Sequence, residues 1–198
     1  MKRTVLFAAT LLSFAAWSPR LQAGTISSFT TGTAVGGNVF WGESFTTPAG
    51  GPWNSITFNF FSDAGATTPT APGDAFLLSS QYLGLPTNLS SGTPGFIAES
   101  TGNAGGIWTF AAGVTLSPNT EYWIYDDAAG VISGIPINGT SSQRGYASNS
   151  SGSSFAATNG VDNFNLSGTA APEPGTVGLA GAALFSLALW SRYKRIVR

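Results

Sequence analysis

Histidine and cysteine are both missing from this chain of 198 residues. Without histidine no side chain titrates unperturbed near neutral pH, the commonest zinc ligand is gone, and no Ser-His-Asp or Cys-His arrangement can be assembled. Without cysteine, an exported domain stands without disulfides. Positive charge is nearly as scarce in the middle of the chain. Of eight Lys and Arg residues, Lys2, Arg3 and Arg20 lie near one end and Arg192, Lys194, Arg195 and Arg198 at the other, leaving only Arg144 between. Residues 24–171 hold eight acids (Glu43, Asp63, Asp74, Glu99, Glu121, Asp126, Asp127 and Asp162), so this body has a net charge of −7. It offers no basic footprint to nucleic acid or anionic lipid, which excludes nucleic-acid binding. Helical patterning is lacking too: no window of about eleven residues in the body keeps a 3.6-residue apolar period free of Gly, Pro, Ser, Thr or Asn.

What is present begins with the two ends. Met1-Lys2-Arg3 is a basic start, Thr4 to Trp17 is apolar, Ser18-Pro19-Arg20 breaks the run, and Leu21-Gln22-Ala23 ends on a small residue. This reads as a secretory signal peptide over residues 1–23, cut between Ala23 and Gly24. At the other end, Pro172-Glu173-Pro174 precedes an uncharged apolar run from Gly175 to Trp190 and then a basic tail. The run rises about 24 Å as a helix, short of the roughly 20 residues needed to cross a hydrocarbon core. Trp190, Tyr193 and snorkelling cations extend it, so a transmembrane helix is expected over 175–191, with the tail of 192–198 cytoplasmic. The two prolines fix φ and lack amide donors, holding an extended segment around one acid.

Pro172-Glu173-Pro174, the short apolar helix and the Arg192, Lys194, Arg195 and Arg198 stop together resemble the PEP-CTERM sorting signal of Gram-negative bacteria. The resemblance covers residues 172–198. It implies an exosortase, a membrane cysteine protease-transpeptidase, as processing partner. It also implies transient inner-membrane anchoring, cleavage near the motif, and transfer to the cell surface or extracellular matrix.

The body is aromatic-rich, with 19 Phe, Tyr and Trp residues in 24–171, which argues against disorder. Short apolar pieces alternate with turn residues. Ile56, Phe58 and Phe60 face one way and Thr57 and Asn59 the other, while Glu121–Asp126 is apolar on both faces, as a central strand would be. About ten strands at this spacing predict an all-β fold: an antiparallel β-sandwich, jelly-roll-like, over 24–166. A linker over 167–171 follows. Val114 to Ile124, containing Leu116-Ser117-Pro118-Asn119-Thr120-Glu121-Tyr122-Trp123, resembles a hairpin of exported "choice-of-anchor" sandwich domains; the resemblance implies fold rather than activity.

Chemistry is sparse. Trp53 and Tyr82, flanked by Gly, Pro and polar residues, are candidate sugar-stacking platforms, with Arg144 as a ligand-facing donor or an ion-pair partner. Asp126 and Asp127 end a strand; they form either a solvated turn or part of a Ca2+ site of oxygen ligands, the one cofactor in view. Glu43, Glu99 and Glu121 are the carboxylates from which a glycosidase pair would be drawn. The expected role is non-enzymatic: an exported, envelope-sorted structural, adhesive or glycan-binding component of the cell surface or of an exopolysaccharide biofilm matrix. The alternative is a carboxylate-dependent extracellular polysaccharide hydrolase.

Overall fold

Period-two alternation turns the body into strands. The computed structural model describes residues 22–136, 143–149 and 151–170, and residues 181, 183, 184, 186 and 187 of a helical segment. The chain divides into two compact units, one made of residues 1–22 and 174–198 and the other of Ala23–Glu173. The sheets lie in the second unit.

Eight strands carry its frame, and two short ones, Pro69–Thr70 and Gly102–Ala104, add to it. β1 (Gln22–Phe29), β2 (Ala34–Thr46) and β3 (Trp53–Phe61) are followed by a short β4 (Pro69–Thr70), β5 (Ala75–Leu78) and β6 (Phe96–Glu99). Next come β7 (Gly102–Ala104), β8 (Ile107–Thr109) and β9 (Glu121–Asp126), and β14 (Phe164–Ala170) closes the domain. One sheet has the order β1-β14-β3-β8 and the other β2-β9-β5-β6, with the chain crossing between layers at almost every connection. That is the double Greek key of a jelly roll, as the strand spacing predicts. β4 and β7 widen the first sheet. Between β9 and β14 an insertion of β10 (Gly130–Pro136), β11 (Arg144–Ser148), β12 (Ala156–Ala157) and β13 (Gly160–Asp162) builds onto the long β2.

Phe58 sits at the centre of the inter-sheet core. It stacks on Phe164 with centroids 5.5 Å apart and on Trp108 at 6.1 Å, and meets Phe60 edge-on at 5.0 Å. Phe45, Tyr122, Ile124, Leu77 and Ile132 come from the facing sheet. β9 lies between β2 and β5, as its two apolar faces predict. Its outward residues, Trp123 and Tyr125, enter a second cluster with Phe76, Leu78, Leu89, Tyr146 and Phe155. This sheet is therefore covered on both sides, the outer cover including the segment 79–95.

The structure departs from the sequence-based expectations in four places. The predicted linker is largely strand: Ser167, Thr169 and Ala170 pair with Thr57, Asn54 and Trp53 in β14. The first arm of the hairpin expected over Val114 to Ile124 is reduced to a single bridge between Leu116 and Trp53. β13, three residues long, is too short to show an alternation in the sequence. Gln22, Ala23 and Gly24 belong to β1, so a cut after Ala23 falls inside a strand. The predicted signal helix, the Pro172-Glu173-Pro174 motif, most of the transmembrane segment and the basic tail with Arg192, Lys194, Arg195 and Arg198 lie outside the described residues.

Candidate functional site

The insertion places the unusual chemistry. β2 pairs with β9 through Gly42–Thr46, with β11 through Phe40–Ser44 and with β10 through Ala34–Val39. Alternation along β2 puts Trp41, Glu43 and Phe45 on the inward face, so a carboxylic acid stands between two core aromatics. Glu43 is 0% exposed. Its Oε2 accepts the Asp162 amide at 3.0 Å from β13, which crosses here toward the other layer. Asp126, also 0% exposed, ends β9, and its Oδ1 accepts the Trp41 amide at 2.8 Å.

Three buried carboxyls thus share one region. Glycines make the room: a Cβ at Gly134 or Gly145 would stand 3.1 Å from an Asp162 carboxyl oxygen. Glu43 Oε1, Asp126 Oδ2 and Asp162 Oδ2 are sealed from solvent and take no hydrogen bond. Desolvation pushes all three groups well above the usual carboxylate range. The Asp162 charge adds to this at Glu43, and the Asp127 and then Asp162 charges add to it at Asp126. Burying even one bare carboxylate costs several kcal/mol, so the neutral acid is the stable form inside.

Beside the acids a cleft of about 300 Å³ opens between β2, β10 and β13. Val35, Gly36, Trp41 and Ile132 form its apolar part, and Thr158 and Asn159 bring polar atoms to it. The Trp41 indole N–H is fixed to the Gly130 carbonyl at 2.6 Å. Gly36 lies against that ring; a Cβ there would be 2.4 Å from Trp41 Cη2.

The residues singled out from sequence fall elsewhere. Trp53 is half-buried against the main core, its indole N–H 3.5 Å from the Pro48 carbonyl. Tyr82 belongs to the outer cluster, edge-on to Tyr125 at 5.9 Å and to Phe155 at 6.2 Å, and its hydroxyl donates to the Leu85 carbonyl. Neither is the exposed platform expected, and the two pack into different clusters. Arg144 is exposed on β11, its amide donating to Ser44 Oγ at 3.0 Å. Asp126 points inward, whereas Asp127 is exposed and accepts the Asp74 amide at 2.8 Å, so the adjacent carboxylates do not converge. Among the described residues no three acidic side chains form a group able to hold a metal ion. Glu99 and Glu121 are exposed and Glu43 is internal; the acids that Glu43 meets are Asp162 and Asp126 rather than either glutamate. Asp162 is a site residue that the sequence patterning did not single out. The parity that puts Glu43 with Trp41 and Asp126 with Ile124 was the available signal.

Fold and charge define a jelly-roll body followed directly by a separate C-terminal segment. Residues 170–194 match the family model of the PEP-CTERM protein-sorting motif. The chain thus carries a PEP-CTERM sorting signal, and the motif implies export, processing by exosortase, a membrane enzyme, and a C-terminal signal that is membrane-anchored before processing. Comparison with curated proteins and with solved structures finds no match. Among the described residues no helix is long and apolar enough to cross a membrane.

Proposed function

We propose that the exported body acts outside the cell as a non-enzymatic structural or adhesive component that holds glycan, at the cell surface or in an exopolysaccharide matrix. The supporting observation is the cleft beside Trp41. An open, mainly apolar concavity with one indole wall and a few polar groups has the make-up of a site for the face of a sugar ring. This moves the glycan site away from Trp53, Tyr82 and Arg144. Hydrolysis has less support, because a working pair needs both carboxyls at the substrate. Here Glu43 and Asp126 are internal, whereas Glu99 is exposed at the end of β6 and Glu121 at the start of β9.

Binding of the purified protein to a glycan array and to cell-free exopolysaccharide tests this. Val35→Glu and Asn159→Ala alter exposed cleft residues. Each is expected to weaken binding about tenfold, roughly one lost polar or apolar contact, with the unfolding midpoint unchanged. Equal binding by both variants and the parent would refute the cleft as the site.

A further inference from the structure

We propose that Glu43 and Asp162 form a proton-held latch: neutral, they seat β13 against β2 and complete the cleft wall; ionised, they drive β13 away. The inference adds regulation to the site proposed above, and it rests on that reading only for its consequence for binding.

The geometry favours a latch over a passive core contact. β13 is three residues long, and its pairing with β10 runs over Gly134, Ile135 and Pro136 only. Beyond that pairing, the Asp162 amide is tied to Glu43 Oε2 and the next amide, Asn163, to the Ser133 carbonyl at 2.7 Å. The segment therefore depends on a carboxyl as acceptor, and its own carboxyl lies beside that acceptor. The facing groups offer no compensating charge among the described residues. β9 supplies Asp126 and Tyr125, with Asp127 exposed just beyond; β11 supplies the Arg144 main chain to Glu43, its side chain being exposed; β10 supplies Ser133 and Gly134. Gly160, Val161 and Asp162 also line the cleft, so releasing β13 dismantles one of its walls.

The direction with pH is set by burial. All three buried acids have folded-state values above their unfolded ones. Their contribution is complete below the unfolded carboxylate range, about pH 4, and is lost as pH rises toward the folded values. Each such group costs the folding equilibrium up to a factor of about ten per pH unit across that window.

The test uses the full chain in a non-ionic detergent, following thermal unfolding and amide exchange from about pH 5 to about pH 9, a range above the ordinary carboxyl values in which raised ones titrate. The midpoint is expected to fall with pH, with amides 160–163 losing protection before those of β3 and β9. Glu43→Gln and Asp162→Asn should each flatten the pH dependence. A midpoint that is flat or rises over this range, or variants with the parent's slope, would overturn the latch. Should Glu43→Gln fail to fold, Asp162→Asn and the exchange pattern of the parent still decide. Added calcium chloride is the remaining arm. Restoration of the alkaline midpoint in the parent but not in Asp162→Asn would assign the carboxyls to a cation and overturn proton sharing. None of these readouts uses a glycan, so failure of the latch is distinguishable from failure of the binding site.

Discussion

Asn163 ties the layers together where they part. Its Oδ1 accepts the Gly32 amide at 2.8 Å, and its Nδ2 donates to the Gly32 carbonyl and to Ser133 Oγ, each at 2.9 Å. All of this is buried, so Asn163→Ala leaves a buried amide and carbonyl without partners. Each orphaned group costs about 1–3 kcal/mol; a loss of roughly 2–4 kcal/mol in urea unfolding is the expected result. Gly36 offers a second test of the same region. Adding a methyl 2.4 Å from the Trp41 ring forces repacking, so Gly36→Ala should cost about 1–3 kcal/mol and blunt the change in tryptophan fluorescence on glycan addition. The residue scale is also where sequence reading is weakest. The alternation Trp41-Glu43-Phe45 stands in the sequence, yet a glutamate in a strand beside aromatics reads first as an outward-facing one, and Glu43 is buried. That an acid would be kept there depends on Asp162 and Gly145, more than a hundred residues away, and pattern does not report such a meeting. Trp53 and Tyr82 failed as exposed platforms for a related reason: Gly and Pro neighbours mark turns, but a turn can still fold its aromatic back onto a core.

Elements were more legible, because alternation in β2, β3 and β9 is local. Strands lacking an apolar face escaped detection. β13 exists through pairing with β10, and the end of β14 through pairing with β3, where Ser167 and Thr169 give no hydrophobic cue. The end of β14 yields a sharp expectation. If residues 167–171 were a linker, truncation after Leu166 would leave the body's stability unchanged. Since 167–170 pair with the first half of β3, that truncation should lower the unfolding midpoint by several degrees, at about 2–4 °C per kcal/mol for a domain of this size. Truncation after Ala171 should not. The outer cover of the second sheet is a separable element. Phe155 is buried with its ring 4.8 Å from that of Tyr125, and Tyr125 Oη accepts the Tyr82 amide at 3.0 Å. Phe155→Ala should cost about 3–5 kcal/mol and expose the segment 79–95 to limited proteolysis before the rest of the domain.

At the scale of the whole molecule, localisation and body were written in different alphabets. The termini hold seven of the eight cations, and their message is linear, so it was readable without a fold. The body's role is carried by surfaces that exist only after two sheets close. This separation makes the sorting signal testable without disturbing the sheets, because β14, which closes the domain, ends at Ala170, before the motif. Replacing Pro172-Glu173-Pro174 by alanines restores amide donors and helix-compatible φ values to the segment preceding the apolar run. The processing enzyme then meets a substrate without the Pro-Glu-Pro motif. The variant is expected to stay in the membrane fraction as an unprocessed, larger species, while the parent is cleaved and released from that fraction. Its thermal unfolding should match the parent's, since the three positions lie beyond the last strand residue, Ala170. Normal processing and release of the alanine variant would contradict the sorting assignment. Retention together with a lowered midpoint would instead trace the defect to the fold, and only retention with an unchanged body separates address from structure.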